Sequence, residues 1–122
     1  MAIQEWSDKI IAAELADDHQ FSDEVGSLIE RLQESPRDVV LNFSSVGFIN
    51  SSNISKLLRL RKIMVSAKKH LIICGVNNQV WGVLLVTGLD KIFEFTNDIS
   101  TALAMLQLNV PATPATRTPK KK

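Results

Sequence analysis

Apolar and polar positions along the chain change period several times, and each change marks an element. Ile3 to Trp6 reads as a short edge strand, followed by a turn at Ser7-Asp8-Lys9. Ile10-Ile11-Ala12-Ala13-Glu14-Leu15 is a mostly apolar second strand, and Ala16 to Phe21 a loop. Val25, Leu28, Ile29 and Leu32 then recur at i, i+3, i+4 and i+7. That spacing predicts an amphipathic helix, with Ser22 as its N-cap and Asp23 and Glu24 complementing its dipole. Ser35-Pro36-Arg37 ends it.

Val39-Val40-Leu41-Asn42-Phe43 is a β-rich run flanked by polar residues, as a buried parallel strand would read. Ser44 to Ile49 reads as a turn leading into a very short extended piece. A second helix is expected from about Ser52 to Ser66. Ile54, Leu57, Leu58, Arg61, Met64 and Val65 mark its inner side, broadened by Leu60 and Ile63. His70 to Gly75 is the next strand. Asn77 or Asn78 caps a helix with Val80, Val83 and Leu84 on one side, stopped by Thr87-Gly88. Ile92 to Phe95 reads as a short strand, and Asn97-Asp98 opens a last helix with Ile99, Leu103 and Leu106 inward. The order β-β-α-β-α-β-α-β-α predicts an α/β fold, with a mostly parallel four- to five-stranded sheet and about four helices.

The period is lost near Val110. Residues 1–109 read as one domain and 110–122, rich in Pro, Thr and Lys, as a disordered tail. The formal net charge of +1 hides an asymmetry. Residues 1–38 carry ten acids against three bases, residues 39–108 seven bases against three acids, and the last fourteen residues four bases alone. The folded part is therefore mildly acidic, which argues against direct nucleic-acid binding. No apolar run is long enough to insert in a bilayer, and the N-terminus lacks the pattern of a secretory signal. One cysteine, Cys74, permits no internal disulfide. These features point to a cytoplasmic chain.

Enzymatic chemistry finds little support. His19, His70 and Cys74 are scattered without metal-ligand spacing, and Cys74 sits in an apolar run where packing is its expected role. Asp17-Asp18 reads as a turn former more readily than as a catalytic pair. Gly75, Gly82 and Gly88 do not make a phosphate loop. No nucleophile has a recognisable base. The chain reads as a non-enzyme needing no cofactor and no metal.

The centre of the chain is more specific. Val39-Val40-Leu41-Asn42-Phe43-Ser44-Ser45-Val46-Gly47-Phe48-Ile49-Asn50-Ser51-Ser52-Asn53-Ile54 resembles the signature of the STAS family, which includes the anti-sigma factor antagonists. There a hydrophobic strand runs through a short turn into Asp-Ser-Ser/Thr-Gly and a leucine-rich helix. Leu71-Ile72-Ile73-Cys74-Gly75-Val76 resembles the family's following strand. Leu84-Leu85-Val86-Thr87-Gly88-Leu89-Asp90-Lys91-Ile92-Phe93 resembles its Thr-Gly-Leu-Asp-Lys stretch. The likeness covers roughly residues 3–108. Asn50 stands where the family has aspartate, and Asn53 where it has glycine. Asn53 is expected to hold a left-handed backbone in glycine's place. Asp17 is the candidate for the family's early loop aspartate.

The resemblance implies that Ser52 is phosphorylated by a partner that is both serine kinase and anti-sigma factor, with Ser51 the second choice. Ser52 falls where a helix begins, and a helix start tolerates phosphate. The competing reading of Ser51 and Ser52 is plain helix capping. Lys56, Arg59 and Lys62 recur every third residue, as a solvated face or as a docking face beside Ser52. Trp81 lies opposite its helix's apolar stripe, as an exposed interface anchor or packed against a neighbouring loop. Asn50, Ser51, Ser52, Asn53, Lys56, Arg59 and Trp81 are thus the candidate partner-binding residues. Three function classes fit: a phosphorylation-switched anti-sigma factor antagonist, a non-catalytic STAS subunit regulating a lipid-transporting ABC ATPase, or a STAS scaffold. Self-association stays open.

Overall fold

The computed structural model describes residues 3–17 and 19–108. The expected tail at 110–122 and Asp18, half of the Asp17-Asp18 pair, lie outside the described residues. Strand β1 (Ile3–Glu5) pairs antiparallel with β2 (Ile10–Ala16). The chain then alternates through α1 (Gln20–Glu34), β3 (Asp38–Ser45), α2 (Ser51–Ala67), β4 (Leu71–Cys74), α3 (Asn78–Thr87), β5 (Glu94–Thr96) and α4 (Ile99–Leu108). The strands stand side by side in the order β1-β2-β3-β4-β5, and every pair after the first is parallel. The α/β fold with a mostly parallel sheet and four helices is the one the period predicts.

Strand alternation sorts the side chains into two cores. Ile11, Ala13 and Leu15 of β2 join Val39, Leu41 and Phe43 of β3 and Ile73 of β4 on one face, beneath α1, α2 and α3. Phe21 of α1 and Phe43 meet edge to face, ring centroids 5.8 Å apart, in the middle of this core. Val40, Ile72 and Cys74 point to the other face, where α4 covers them with Ala102 and Leu103.

Three boundaries differ from expectation. Ser22 does not cap α1. The helix starts at Gln20 after His19, which makes no side-chain cap bond. Winding three residues earlier places Phe21 on the helix's inner face, and burying an aromatic ring outweighs a serine cap of about 1 kcal/mol. The last strand also starts late. Gly88 takes a left-handed φ of 79° and a 3₁₀ turn at Leu89–Lys91 follows, so pairing begins only at Glu94 opposite Ile72. No separate extended piece follows β3, which runs on to Ser45 before a loop. In α2 the inner stripe is narrower than expected: Leu57, Leu60 and Met64 are buried, whereas Leu58 and Val65 are exposed.

Candidate functional site

The segment joining β3 to α2 is held from both sides. Asp17, at the end of β2, accepts a hydrogen bond from the Gly47 amide at 2.7 Å and a longer one from Phe48 at 3.4 Å. From the other side the Asn77 side-chain amide donates to the Val46 carbonyl at 3.1 Å and to that of Gly47 at 3.3 Å. The same Asn77 caps α3 by accepting from the Val80 amide at 2.7 Å. Gly47 lies tight against Asp17: a Cβ there would sit 3.3 Å from its carboxylate. Val46 and Ile49 are buried, but Phe48 between them is 56% exposed. That apolar side chain beside the site was not picked out from the sequence, because nothing in a loop's composition says which residue faces water.

The start of α2 is closed by a reciprocal pair. Asn50 is extended, with φ −116° and ψ 180°, and its side-chain oxygen accepts from the Asn53 amide at 2.8 Å. The Asn53 side chain in turn accepts from the Asn50 amide at 3.0 Å. This is a capping box built from two asparagines. It corrects two expectations. Asn53 does not adopt a left-handed backbone; it lies inside the helix with its side chain buried, and Lys68 is the non-glycine residue with positive φ among those described. Nor are Ser51 and Ser52 the caps. They are the first and second residues of the helix, both exposed, and neither hydroxyl makes a hydrogen bond among the described residues.

The structure brings Asn50, Ser51, Ser52, Asn53, Lys56 and Arg59 together along α2. Ser52, Ser55, Lys56 and Arg59 form one wall of a groove of about 520 Å³, and Gly26 and Glu30 of α1 stand on the other. α2 carries four bases, Lys56, Arg59, Arg61 and Lys62, and no acid. Arg61 donates to the Ile92 carbonyl at 3.1 Å. The ion pairs among the described residues are Glu5 with Arg31 and with Arg37, so none of the α2 bases is paired. Trp81 stands apart from the groove. Its ring is half-buried and meets Phe95 of β5 edge to face at 5.1 Å, so it packs on a strand and not, as one reading had it, on a loop.

Other reactive groups are quiet. Burial pushes the Cys74 thiol up to about 12, which leaves no thiolate at neutral pH. Among the described residues no cluster of three His, Cys, Asp or Glu side chains is placed to hold a metal ion, and no helix is long and apolar enough to cross a membrane.

A STAS domain profile matches residues 4–102. The chain belongs to the STAS family. Solved structures agree in fold. A Thermotoga maritima protein assigned as an anti-sigma factor antagonist superposes with a TM-score of 0.77 at 18% identity, over 86% of this chain and 92% of that one. An anti-sigma factor antagonist (STAS) domain protein from Planctomyces limnophilus gives 0.70 at 21% identity, over 85% and 97%. The anti-sigma factor antagonist SpoIIAA in its unphosphorylated form gives 0.68 at 11% identity, over 89% and 97%. No curated protein sequence matches the chain.

Proposed function

We propose that this STAS domain is a non-catalytic regulatory binding protein of the anti-sigma factor antagonist kind, and that phosphorylation of Ser52 sets its affinity for a serine-kinase partner. The observation that carries the reading is the capping box. Asn50 and Asn53 each accept the other's backbone amide, so Ser52 is not needed as a cap and stands exposed with its hydroxyl unbonded. Its position sets a phosphate beside the first helix amides, which lack intrahelical acceptors and form the positive end of the dipole. Modification there leaves the fold intact and adds nearly two negative charges to the surface. A partner packed on α2 then meets repulsion and loses contacts. Phe48 gives that partner an apolar anchor, and Lys56 and Arg59 a cationic one. Ser51 is the second candidate acceptor.

The test is intact-mass and phosphopeptide mapping of the protein from its own host, beside a Ser52→Ala variant. A single phosphate on Ser52, absent from the variant, is the expected result. A protein that stays unmodified through growth and stress would sink the reading. One observation favours a second reading, a constitutive STAS subunit of a lipid-transporting ABC ATPase: Asn50 supplies the cap without the family's carboxylate. An ATPase co-purifying with unmodified protein would decide for it.

A further inference from the structure

We infer that a phosphate on Ser52 is captured by the chain's own Lys56, with the charge of Arg59 beside it, along the rim of the α1–α2 groove. The inference rests on Ser52 as the modified residue. Ser52, Ser55, Lys56 and Arg59 line one groove wall, so the four side chains share a face of α2. Lys56 follows Ser52 by one helical turn, and an anion N-terminal to a cation at that spacing is the favourable order on a helix. Arg59 is one turn further on, with only the small Ser55 between it and Ser52 along the stripe. Arg59 thus stands about 10 Å along the axis from Ser52, too far for the pairing of adjacent turns, and adds its positive charge to the field around the phosphate. Lys56 is half-buried, so its stem lies against the protein and its ammonium ranges over less space than a free lysine's.

Both cations are available. Neither is ion-paired among the described residues, and α2 offers no acid of its own. Glu30 faces them from the other wall without closing an ion pair. A phosphate brings about −1.5 to −2 charges onto the same face, against the two positive charges there. Phosphorylation therefore does more than add repulsion: it neutralises the cationic patch. The partner surface that reads the unmodified protein is then acidic, and it loses its attraction when the patch is filled from within.

The experiment installs phosphoserine at position 52 of the full chain during synthesis and follows its ³¹P resonance against pH. In the parent chain the second phosphate ionisation falls below the ordinary value of about 6. The paired substitution Lys56→Met with Arg59→Met raises it by about 0.5 unit, the size expected for one ion pair on a helix surface and a second positive charge about two turns away. Lys62→Met with Lys69→Met changes net charge equally, at positions that do not line the groove, and leaves the ionisation within about 0.1 unit of the parent. Far-UV circular dichroism verifies that each variant is folded. Equal shifts in the two double variants, or no shift in either, would overturn capture. The two readings fail separately. An unmodified host protein removes the phosphoswitch while the installed phosphate still reports on capture. An unperturbed ionisation removes capture while leaving the switch.

Discussion

Replacing Asn50 by alanine is the sharpest test of how the start of α2 is built. The variant deletes the oxygen that accepts from the Asn53 amide at 2.8 Å. Loss of an asparagine N-cap ordinarily costs about 1 kcal/mol, within a range of about 0.5–2. Here the cost belongs near the top of that range. Asn53 is 1% exposed, so its orphaned amide is poorly placed to recover a water, and an unsatisfied buried donor is itself worth about 1–3 kcal/mol. Ser52→Ala is the internal control. Its hydroxyl is exposed and unbonded, so its removal is expected to change stability by less than about 0.5 kcal/mol, with alanine's helix propensity tilting the sign toward stabilisation. Asn50→Asp keeps the acceptor and adds a negative charge at the positive helix end, for a gain of about 0.3–1 kcal/mol at neutral pH. A capping carboxylate has its pKa lowered in the fold, so that gain is present above the unfolded value and is lost as pH falls through the folded one. Urea denaturation of the three variants at constant m-value gives the order Asn50→Ala, parent and Ser52→Ala together, then Asn50→Asp. If Ser52→Ala cost as much as Asn50→Ala, a serine would be the cap, and the argument that Ser52 is free for modification would fall with it.

Three further outcomes are expected. Gly75→Ala destabilises by about 1–3 kcal/mol, read from the urea midpoint, because φ is +74° and a Cβ would stand 2.6 Å from the Ser44 hydroxyl. Asp17→Ala frees the β3–α2 segment: hydrogen exchange at the Gly47 amide accelerates at least about tenfold, while the buried amides of β3 keep their protection. Cys74 contributes stability that is fully present below about 9 and lost as pH rises toward about 12, since the buried thiol holds its proton longer in the fold than in the unfolded chain. Urea midpoints between pH 8 and 11 check the sign, and a rising midpoint across that window would contradict the burial argument.

Most of the fold was written in the period of the sequence, because burial is what the period records. Val39 to Phe43, broken only by Asn42, and Leu71 to Cys74 are apolar runs, and both became interior parallel strands covered on two faces. The caps were only partly legible. Asn77 or Asn78, and Asn97-Asp98, were adjacent candidates, and within each pair the structure selects one: Asn77 accepts from the Val80 amide and Asp98 from the Thr101 amide. At Asn50-Ser51-Ser52-Asn53 four adjacent residues all have capping chemistry. The choice among them is made by the extended backbone of Asn50, which follows from how Asp17 and Asn77 hold the preceding loop. Those contacts join residues about 30 apart in sequence, which no local pattern encodes. Trp81 illustrates the same limit. Its helix stripe put it outside, yet Phe95 on the neighbouring strand reaches it.

The groove depends on a further nonlocal fact, the packing of α1 beside α2, and it separates stability from recognition along a single helix. Leu57, Leu60 and Met64 occupy the stripe of α2 that faces the sheet, with Asn53 at its head. Ser52, Ser55, Lys56 and Arg59 occupy the stripe that faces the groove. Because 3.6 residues complete a turn, the two stripes interleave in sequence without sharing a residue. A change on the sheet-facing stripe opens a cavity, at about 2–5 kcal/mol for a leucine cut back to alanine. A change of charge on the groove-facing stripe leaves the core untouched. A phosphate added there can therefore alter what binds without altering what is folded, provided the helix start is closed by residues other than the one that carries it. The Asn50–Asn53 pair meets that condition.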